Sequence, residues 1–570
     1  MNRIEITILE KTNGPLTKKI RLSAAGELHS DGSACALAHG RARRFGFDRL
    51  GEFSQLIEGF RDNQAIALGQ LRDGLPPAVE IVPKRRLNGA TAPAKAGVIS
   101  RTLDFFGFRP GEFGFCLLDF DRKAMPPAVA DRITRLGGVW PALVDVVPDL
   151  ARVARLERAS TSAGLFHCDT GVRLAEGGGL HIYVVVSDGA DIERFLRDLH
   201  RRCWLKGLGW LMVGRAGQLL ERSIIDASVG SPERLVFEGP PQLEPPLAQD
   251  LARRKPVVAI GGALDTIKSC PPLSLAEAAR MPELRAREEV RLGPQIAKAR
   301  AGFIAEQAQR LASRAGIPAQ RARHIVERQC GGVLLPDLDL AFDDPDLSGS
   351  TVADILADPE KFIDATLADP LEGLEYGPGK AKVLRRPDGG LMVNSFAHGG
   401  ATYELKLDCA AVRAILERTA VEEVVAVFIR CVLTADLDRI ENEQLSRIVC
   451  KNGDIGKRDL DAMLKEARAK QTAERRTAEL TAQRAARNDT RPQFFAPVAD
   501  APWLPEMAIL SEILGAADEP EPPLRDIDDF VHRAGYGAPR TCMLLARSAP
   551  MPKTPRKAAC RRPSSRCSAG

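Results

Sequence analysis

The chain has 570 residues, of which 44% are hydrophobic and 27% are charged, a composition typical of a soluble protein with several domains. No apolar run approaches the roughly 20 residues that a membrane helix needs, and the first residues alternate in polarity, unlike the apolar stretch of a signal peptide. The formal net charge of +5 permits a polyanionic partner without identifying one. We therefore exclude a membrane partner and expect a cytoplasmic protein, whose 12 cysteines include no CxxC pair and are expected to be free thiols.

Two α/β regions are predicted in the first half of the chain. Residues 1–90 mix strand-like runs with a helical stretch at 53–60, and the small residues at 86–97 have the composition of a linker. Residues 91–245 are predicted to form an α/β domain, in which strands alternate with amphipathic helices and which ends at a proline cluster. The predicted strands lie within 114–121, 180–186, 219–229 and 234–239, and the helices at 126–136 and 191–206.

The second half is predicted to be mainly helical. Residues 246–345 form a helical region, because Ala, Arg, Glu and Gln recur with helical spacing from 275 to 330. A small mixed α/β segment follows at 346–407, with Asp388-Gly389 as a hairpin turn. Residues 408–487 are again helical, and the proline-rich, basic tail at 488–570 is expected to be disordered.

The strongest local signal is the pair Asp119 and Asp121, which follows the apolar run 114–118. Side chains two residues apart on a strand point the same way, so both carboxylates would leave one face while Phe120 returns to the core. Two convergent carboxylates are suited to Mg²⁺, which is usually held by one or two carboxylates together with substrate phosphates. The simpler alternative is a solvated strand end.

Two further segments add polar residues to apolar strands. His181 lies near the start of the β-branched run 180–186, directly after glycines that let a polyanion approach the backbone. Asp226 ends the apolar run that follows Arg222, and the two residues share a face if the strand is regular. Arg234 and Glu238 flank a short apolar run. Taken singly, each could be an ordinary core histidine or strand terminus.

Four other residues suggest a zinc site as a minor alternative. His167 and Cys168 are adjacent, and His200 and Cys203 are one helical turn apart. The simpler interpretation places these residues on helix surfaces and in the core.

The order of these motifs resembles the archaeo-eukaryotic primase superfamily, whose pattern is DxD, small-x-His and hydrophobic-Asp. Here the pattern is Asp119/Asp121, Gly179-Leu180-His181 and Ile225-Asp226, with glycine where the family often has serine. The strings RLVFEGPP, DPLEGLEYGPGKAKV and VNSFAHG resemble primase proteins of phages, plasmids and integrated mobile elements. The resemblance covers most of residues 1–490.

The resemblance implies an α+β fold, with a primase-type core built on a mixed or antiparallel, RRM-like sheet with flanking helices, followed by helical accessory regions. It implies a template-dependent nucleotidyltransferase, a DNA primase or primase-polymerase, that acts on nucleoside triphosphates and a single-stranded DNA template. Asp119, Asp121 and Asp226 would bind two Mg²⁺ or Mn²⁺ ions, and His181 would contact the nucleotide's phosphates. Arg222 and Arg234 are weaker candidates for phosphate contacts, and Ser160, Thr161 and Ser162 are polar neighbours.

The chain lacks the phosphate-binding loop of a helicase ATPase. Gly379-Lys380 is followed by Ala381 and Gly456-Lys457 by Arg458, so neither string supplies the hydroxyl ligand. A helicase partner would therefore be a separate protein. The change in composition after about residue 535 suggests a truncated or frame-shifted product from which a helicase part is missing.

Two other functions fit the same residues. One is a non-catalytic replication-initiation or single-strand-binding protein with a primase fold, and the other is a metal-dependent nuclease. On the primase hypothesis, the three aspartates should lie roughly 3–7 Å apart at one sheet edge, with His181 on the same cleft. The helical regions should be separate from this sheet, and Arg101, Lys123, Arg222 and Arg234 should line a template cleft.

Overall fold

The computed structural model describes residues 3–23, 26–87, 97–174, 178–377, 379–386, 389–397 and 400–486. The predicted disordered tail at 488–570, most of the predicted linker at 86–97 and Asp388 of the predicted turn lie outside the described residues.

The first region is a five-stranded sheet with one helix. Its strand order is β5-β1-β4-β7-β8, antiparallel except for the last pair. The alternation in β1 places Ile4, Ile6 and Ile8 on one buried face, where they pack with Phe53 and Phe115. The elements are β1 Ile4–Lys11, β2 Lys19–Leu22, β3 Leu28–Asp31, β4 Gly40–Phe47, α1 Leu50–Glu58, β5 Gln64–Ala67, β6 Gln70–Leu71, β7 Ala78–Ile81, β8 Val98–Ile99 and β9 Phe106–Gly107.

The second region contains a four-stranded sheet, here called the central sheet, with the order β10-β13-β11-β18 and antiparallel pairing throughout. Its strand β13 is buried from Ile182 to Val186, as expected for an uninterrupted β-branched run. The elements are β10 Gly114–Phe120, α2 Pro127–Arg135, α3 Val139–Val146, β11 Arg155–Ala159, β12 Leu165–His167, β13 Leu180–Val186, α4 Ile192–Leu205, β14 Gly209–Val213, β15 Leu219–Ser223, β16 Gln242–Leu243, β17 Leu247–Gln249 and β18 Val257–Ala259.

The prediction of an α+β fold rich in antiparallel sheet is confirmed. Two predicted strands differ. The run at 219–229 is a strand only as far as Ser223, after which the chain turns away, and the run at 234–239 forms only one isolated bridge, between Val236 and Ile66. In addition, β18 joins the central sheet from beyond the predicted boundary at residue 245, because it pairs with β11.

The third region consists mainly of a 41-residue helix, α6 Leu275–Ala315, and a second mixed sheet. A capping box between Ser274 and Glu277 starts this helix, and Gly316, with φ 64°, ends it. The sheet, here called the accessory sheet, has the order β19-β23-β22-β21-β20. The elements are α5 Thr266–Ser269, α6 Leu275–Ala315, α7 Ala319–Cys330, β19 Val333–Leu334, α8 Val352–Ala357, α9 Pro359–Phe362, β20 Thr366–Leu367, β21 Ala381–Arg385, β22 Leu391–Ser395 and β23 Ala401–Leu405.

The last described elements are helices, as predicted: α10 Cys409–Glu417, α11 Val424–Thr434, α12 Arg439–Asn452 and α13 Lys457–Ala486. They enclose a small apolar core around Phe428, Leu445 and Leu460. Along the described part of the chain, no helix is both long and apolar enough to cross a membrane.

The long helix of the third region packs against two elements of the second region, neither of which is a strand of the central sheet. Helix α6 packs against α4 and β14, where Leu292 shares a cluster with Trp204 and Leu211. Residues 1–478 accordingly form one compact unit, and the second unit is described only by the last residues of α13. Apolar side chains on α6 explain this packing, because they could not be buried by the helix alone.

Candidate functional site

A row of three polar side chains crosses the central sheet at one end. Asp119 on β10 lies directly opposite His181 on β13, and His181 lies opposite Arg158 on β11. Residues that face each other across an antiparallel pair project to the same side of the sheet. Nε2 of His181 is 3.7 Å from Oδ1 of Asp119.

Glu238 holds this row in place from above the sheet. Its side chain is fully buried, and its Oε1 lies 2.5 Å from Nδ1 of His181 and accepts a 2.5 Å hydrogen bond from the Tyr183 hydroxyl. Nη1 of Arg158 donates to Oε2 at 2.9 Å, and Nη2 of Arg254 lies 3.8 Å from the same oxygen. A buried carboxylate is therefore balanced by three basic groups and a hydroxyl, as an interior charge requires.

The pKa values of this network reflect that balance. Burial alone would raise the pKa of Glu238, but His181 and Arg158 outweigh it and hold the pKa at about 2. Burial alone would lower the pKa of His181, but the carboxylates of Glu238 and Asp119 raise it. The network therefore favours a protonated imidazolium between two carboxylates.

Asp226 is fixed beside Asp119 by the backbone. The Asp226 amide donates to the Asp119 carbonyl oxygen at 2.9 Å, so the segment after β15 lies along the end of β10. The Asp226 carboxylate caps a short 3-10 helix by accepting from the Ser228 amide at 2.8 Å. Asp226 is thus three residues past the end of its strand, and the predicted shared strand face with Arg222 is wrong, because the chain turns after Ser223.

The aspartates at this end interact through their charges. Burial raises the pKa of Asp119, His181 opposes this effect, and the carboxylates of Asp226 and Asp121 raise the pKa further. Burial also acts to raise the pKa of Asp226, but Arg234, the Ser228 amide and Arg222 lower it overall. Burial is therefore the main reason that the charged form of Asp119 is disfavoured, and the two neighbouring carboxylates add to this effect.

Asp121 lies at the margin of the site. It is exposed, one residue beyond the end of β10, and its Oδ1 accepts from the Lys123 amide at 3.0 Å. The structure thus brings Asp119, His181 and Asp226 together, with Asp121 near them. In the ranges that the structure describes, no three His, Cys, Asp or Glu side chains are grouped closely enough to form a metal site by themselves. The predicted 3–7 Å spacing stays a prediction.

The predicted basic residues occupy different positions. Arg222 lies on β15 opposite Trp210, and exposed Arg234 donates from Nη1 to the Ser228 carbonyl at 3.1 Å. Arg101 donates to the Glu233 carbonyl at 2.8 Å and is partly buried, which makes it a support for the segment that carries Arg234. Lys123 is exposed directly after β10.

The polar residues after β11 also lie at this end of the sheet. The Ser160 amide donates to the Gly179 carbonyl at 3.0 Å, and the hydroxyls of Ser160 and Ser162 are 3.2 Å apart, whereas Thr161 is buried. A side chain at Gly179 would meet Ser160 at 3.0 Å, so the close approach of the two strands favours glycine there.

The predicted zinc ligands do not meet. His167 pairs through β12 with β17, and Cys168 beside it is exposed. His200 on α4 instead contacts the Ser223 hydroxyl at 2.9 Å, and Cys203 is fully buried in the core. The zinc alternative is therefore wrong for these four residues.

Sequence reasoning recognised Glu238 only as a strand terminus, and it missed Arg158, Tyr183 and Arg254. A glutamate between apolar residues and a proline-rich turn was the available signal, but its partners lie 55 or more residues away from it in sequence, except Arg254. Comparisons of the chain with protein-family models, curated proteins and solved structures found no match. The resemblance to the primase superfamily therefore stays a prediction carried by its motifs.

Proposed function

We propose that this chain is a template-dependent nucleotidyltransferase, a DNA primase or primase-polymerase of a mobile element. The observation that carries the proposal is the meeting of Asp119, His181 and Asp226 at one end of the central sheet. These residues come from three separate parts of the sequence, and they are the ones that the DxD, small-x-His and hydrophobic-Asp pattern singles out.

The carboxylates fit a divalent cation by their chemistry. Burial is the largest cause of the raised pKa of Asp119, and the charges of Asp226 and Asp121 raise it further; a bound cation would relieve this repulsion among the carboxylates. Mg²⁺ and Mn²⁺ prefer oxygen ligands, and Mg²⁺ commonly completes its shell with substrate phosphates and water, so two close carboxylates suffice. Asp119 and Asp226, with Asp121 beside them, would hold Mg²⁺ or Mn²⁺. When bound, such ions supply electrophilic stabilisation of the charge on the transferred phosphate and on pyrophosphate.

His181 is suited to contact the nucleotide's phosphates. Glu238 holds Nδ1, which leaves Nε2 on the side of Asp119, and the raised pKa of the imidazole favours the form that donates from both nitrogens. A donated, charge-assisted hydrogen bond is the interaction that a phosphate oxygen accepts best. In the proposed reaction, a 3′-hydroxyl oxygen bonds to the α-phosphorus, the bond to pyrophosphate breaks, and the hydroxyl proton passes to solvent.

The order of elements also supports the proposal. The central sheet and its helices follow the order β10, α2 and α3, β11, β13, α4, which agrees with the first five parts of a β-α-β-β-α-β arrangement. The fourth strand, β18, joins at the edge away from β10, and the turn that contains Asp226 lies beside the end of β10. Because β18 does not pair with β10, the end of β10 stays open for the candidate site.

The proposal is tested by incubating the purified full chain with a single-stranded template, labelled nucleotides and Mn²⁺ or Mg²⁺. Growth of labelled product that is lost in Asp226→Asn and kept in Asp131→Asn would support it; Asp131 is an exposed aspartate on α2. Degradation of the template would instead indicate a nuclease, and binding without either reaction would indicate a binding protein. Both results would overturn the proposal.

A further inference from the structure

The antiparallel part of the accessory sheet has one apolar face and one polar face. Successive side chains of a strand project to opposite faces, and residues opposite each other on paired strands project to the same face. Val383, Val393 and Tyr403 form one such row across β21, β22 and β23, and all three are buried in an apolar core. The rows of the other face, here called the open face, are half-buried or exposed: Lys382, Asn394 and Thr402 in one row, and Leu384, Met392 and Glu404 in the next.

Phe396 extends the open face by one further row. Its amide donates to the Lys380 carbonyl oxygen at 2.7 Å, directly beyond the pair Ala381 and Ser395 at the ends of β21 and β22. Phe396 and Lys380 therefore project to the same side as Lys382. The Phe396 side chain is 56% exposed, and it is the one exposed aromatic side chain among the residues that the structure describes. A large apolar ring left in water is typical of a surface that contacts a partner.

A cation and a second aromatic ring lie beside Phe396. The Lys380 ammonium lies 5.4 Å from the centre of the Tyr376 ring, within the range of a cation–π contact, and both residues are partly buried. Lys380 is thus held on one side by Tyr376 and is paired through the backbone with Phe396 on the other. This arrangement places a positive charge next to the exposed ring.

Positive charge predominates on the open face. Among the described residues, its cations are Lys380, Lys382, Arg386 and Lys406. Glu404 contacts Arg386 at 2.5 Å and Lys406 at 2.8 Å, and Asp364 contacts Lys382 at 2.6 Å. In the described part of the chain, Lys380 forms no ion pair with a carboxylate within 4.0 Å. The cation that is not neutralised is therefore the one beside Phe396.

An exposed ring beside a cation matches the chemistry of a single nucleic-acid strand, whose bases stack on aromatic side chains while its phosphates contact basic ones. A duplex covers the faces of its bases, and an acidic protein would be attracted by the cations without needing the ring. We propose that the open face binds single-stranded nucleic acid, with a base stacked on Phe396 and a backbone phosphate in contact with Lys380.

The accessory sheet is attached to the hairpin that leads to the candidate site. Nε2 of Gln218, in the turn between β14 and β15, donates to Oε1 of Glu372 at 2.5 Å, and β15 runs toward Asp226. A strand on the open face would thus be held by an element in contact with the second region. Its identity as the template rests on the proposed function, whereas the binding of a single strand does not.

The proposal is tested by anisotropy titrations of the full chain with a labelled thymidine oligonucleotide and with a strand of the same length that lacks bases. Phe396→Ala is expected to weaken binding of the oligonucleotide at least about fivefold, because a stacking contact is lost, and binding of the baseless strand less than about twofold. Phe396→Tyr, which keeps an aromatic ring, should retain the affinity and guards against a loss caused by misfolding. The matched control is Ile440→Ala, since Ile440 on α12 is an apolar side chain that is 67% exposed.

Salt dependence separates the ring from the charge. Lys380→Ala should weaken binding of both strands and reduce the slope of log affinity against log salt by about 0.7, whereas Phe396→Ala should leave the slope unchanged. Equal affinities of Phe396→Ala and Ile440→Ala for the oligonucleotide would overturn the proposal. So would an equal loss for the baseless strand, or a loss seen only with labelled poly-glutamate, which would indicate an acidic protein partner.

These titrations contain no nucleotides and no divalent metal, so they separate the two proposals. Phe396-dependent binding by a chain that incorporates no nucleotides would support the open face and refute the polymerase. Incorporation by a chain in which Phe396→Ala leaves strand binding unchanged would do the reverse.

Discussion

Oε1 of Glu238 lies 2.5 Å from Nδ1 of His181, and the carboxylate that makes this contact is completely shielded from solvent. The contact fixes both the rotation of the imidazole ring and the nitrogen that remains for a ligand. Arg158 and Tyr183 bind the same carboxylate, so its position does not depend on His181. Glu238 is therefore a positioning residue, which acts on the candidate site through the histidine.

Replacing Glu238 is expected to be costly for stability. Glu238→Gln keeps the shape but removes the charge that balances Arg158 and Arg254, and the loss of one partner from a buried ion pair costs about 3–5 kcal/mol. The free energy of unfolding, from denaturant titration, should fall by this amount, whereas Glu58→Gln on the exposed side of α1 should change it by less than about 0.5 kcal/mol. Equal stability of the two variants would show that Glu238 is not ionised.

The contact between Glu238 and His181 should also stabilise the fold, but only over a limited range of pH. The pKa of Glu238 falls from 4.5 to about 2 on folding, so its contribution is present above pH 4.5 and is lost as the pH falls toward 2. The pKa of His181 is raised above 6.5, so its contribution is complete below pH 6.5 and is lost as the pH rises through the raised value. The difference in unfolding free energy between wild type and Glu238→Gln should be largest between about pH 4.5 and 6.5. A difference that is flat from pH 3 to 9 would contradict this coupling.

Local patterns were sufficient to predict the strands that carry the site. The runs that became β10 and β13 are apolar and bounded by glycine or aspartate, and their ends place Asp119 and His181 at the same edge. The position of Asp226 was harder to predict from the sequence, because a backbone hydrogen bond to Asp119, more than 100 residues earlier, fixes the turn after Ser223. Apolar residues such as Ile224 and Ile225 mimic a strand there but are buried in the core.

The buried network around Glu238 and the position of Lys380 could not be predicted either, because contacts between residues distant in sequence fix both. Glu238 is satisfied by side chains from β11, β13 and the segment before β18, and no local pattern encodes such pairing. In the sequence Lys380 resembles part of an incomplete phosphate-binding loop, whereas in the fold its backbone pairs with Leu367 and Phe396 of the accessory sheet. Long-range packing decides both positions.

Replacing Asp119 should lower nucleotide incorporation without weakening the binding of single-stranded DNA. Asp119→Ala is expected to lower nucleotide incorporation at least about 100-fold, because a cation would lose a ligand. Affinity for single-stranded DNA should stay the same or rise slightly, since a negative charge disappears. The unfolding free energy should stay within about 1 kcal/mol of wild type, because the burial that raises the pKa of Asp119 disfavours its charge while the contact with His181 favours it. Incorporation assays, fluorescence anisotropy and denaturation measure the three quantities, with Asp131→Ala as control. Loss of DNA binding together with unfolding would make Asp119 structural.

The template is expected to contact the exposed loop after β10, where Lys123 lies beside Asp121. Contacts with phosphates release counterions, so each cation that binds a single strand adds about 0.7 to the slope of log affinity against log salt. Lys123→Ala should reduce that slope by about this amount and weaken binding most at low salt, whereas Lys298→Ala on the exposed side of α6 should leave it unchanged. Anisotropy titrations of a labelled oligonucleotide at several salt concentrations measure the slope. If both variants keep the wild-type slope, the single strand does not follow this edge of the central sheet, and the template must approach the aspartates from another side.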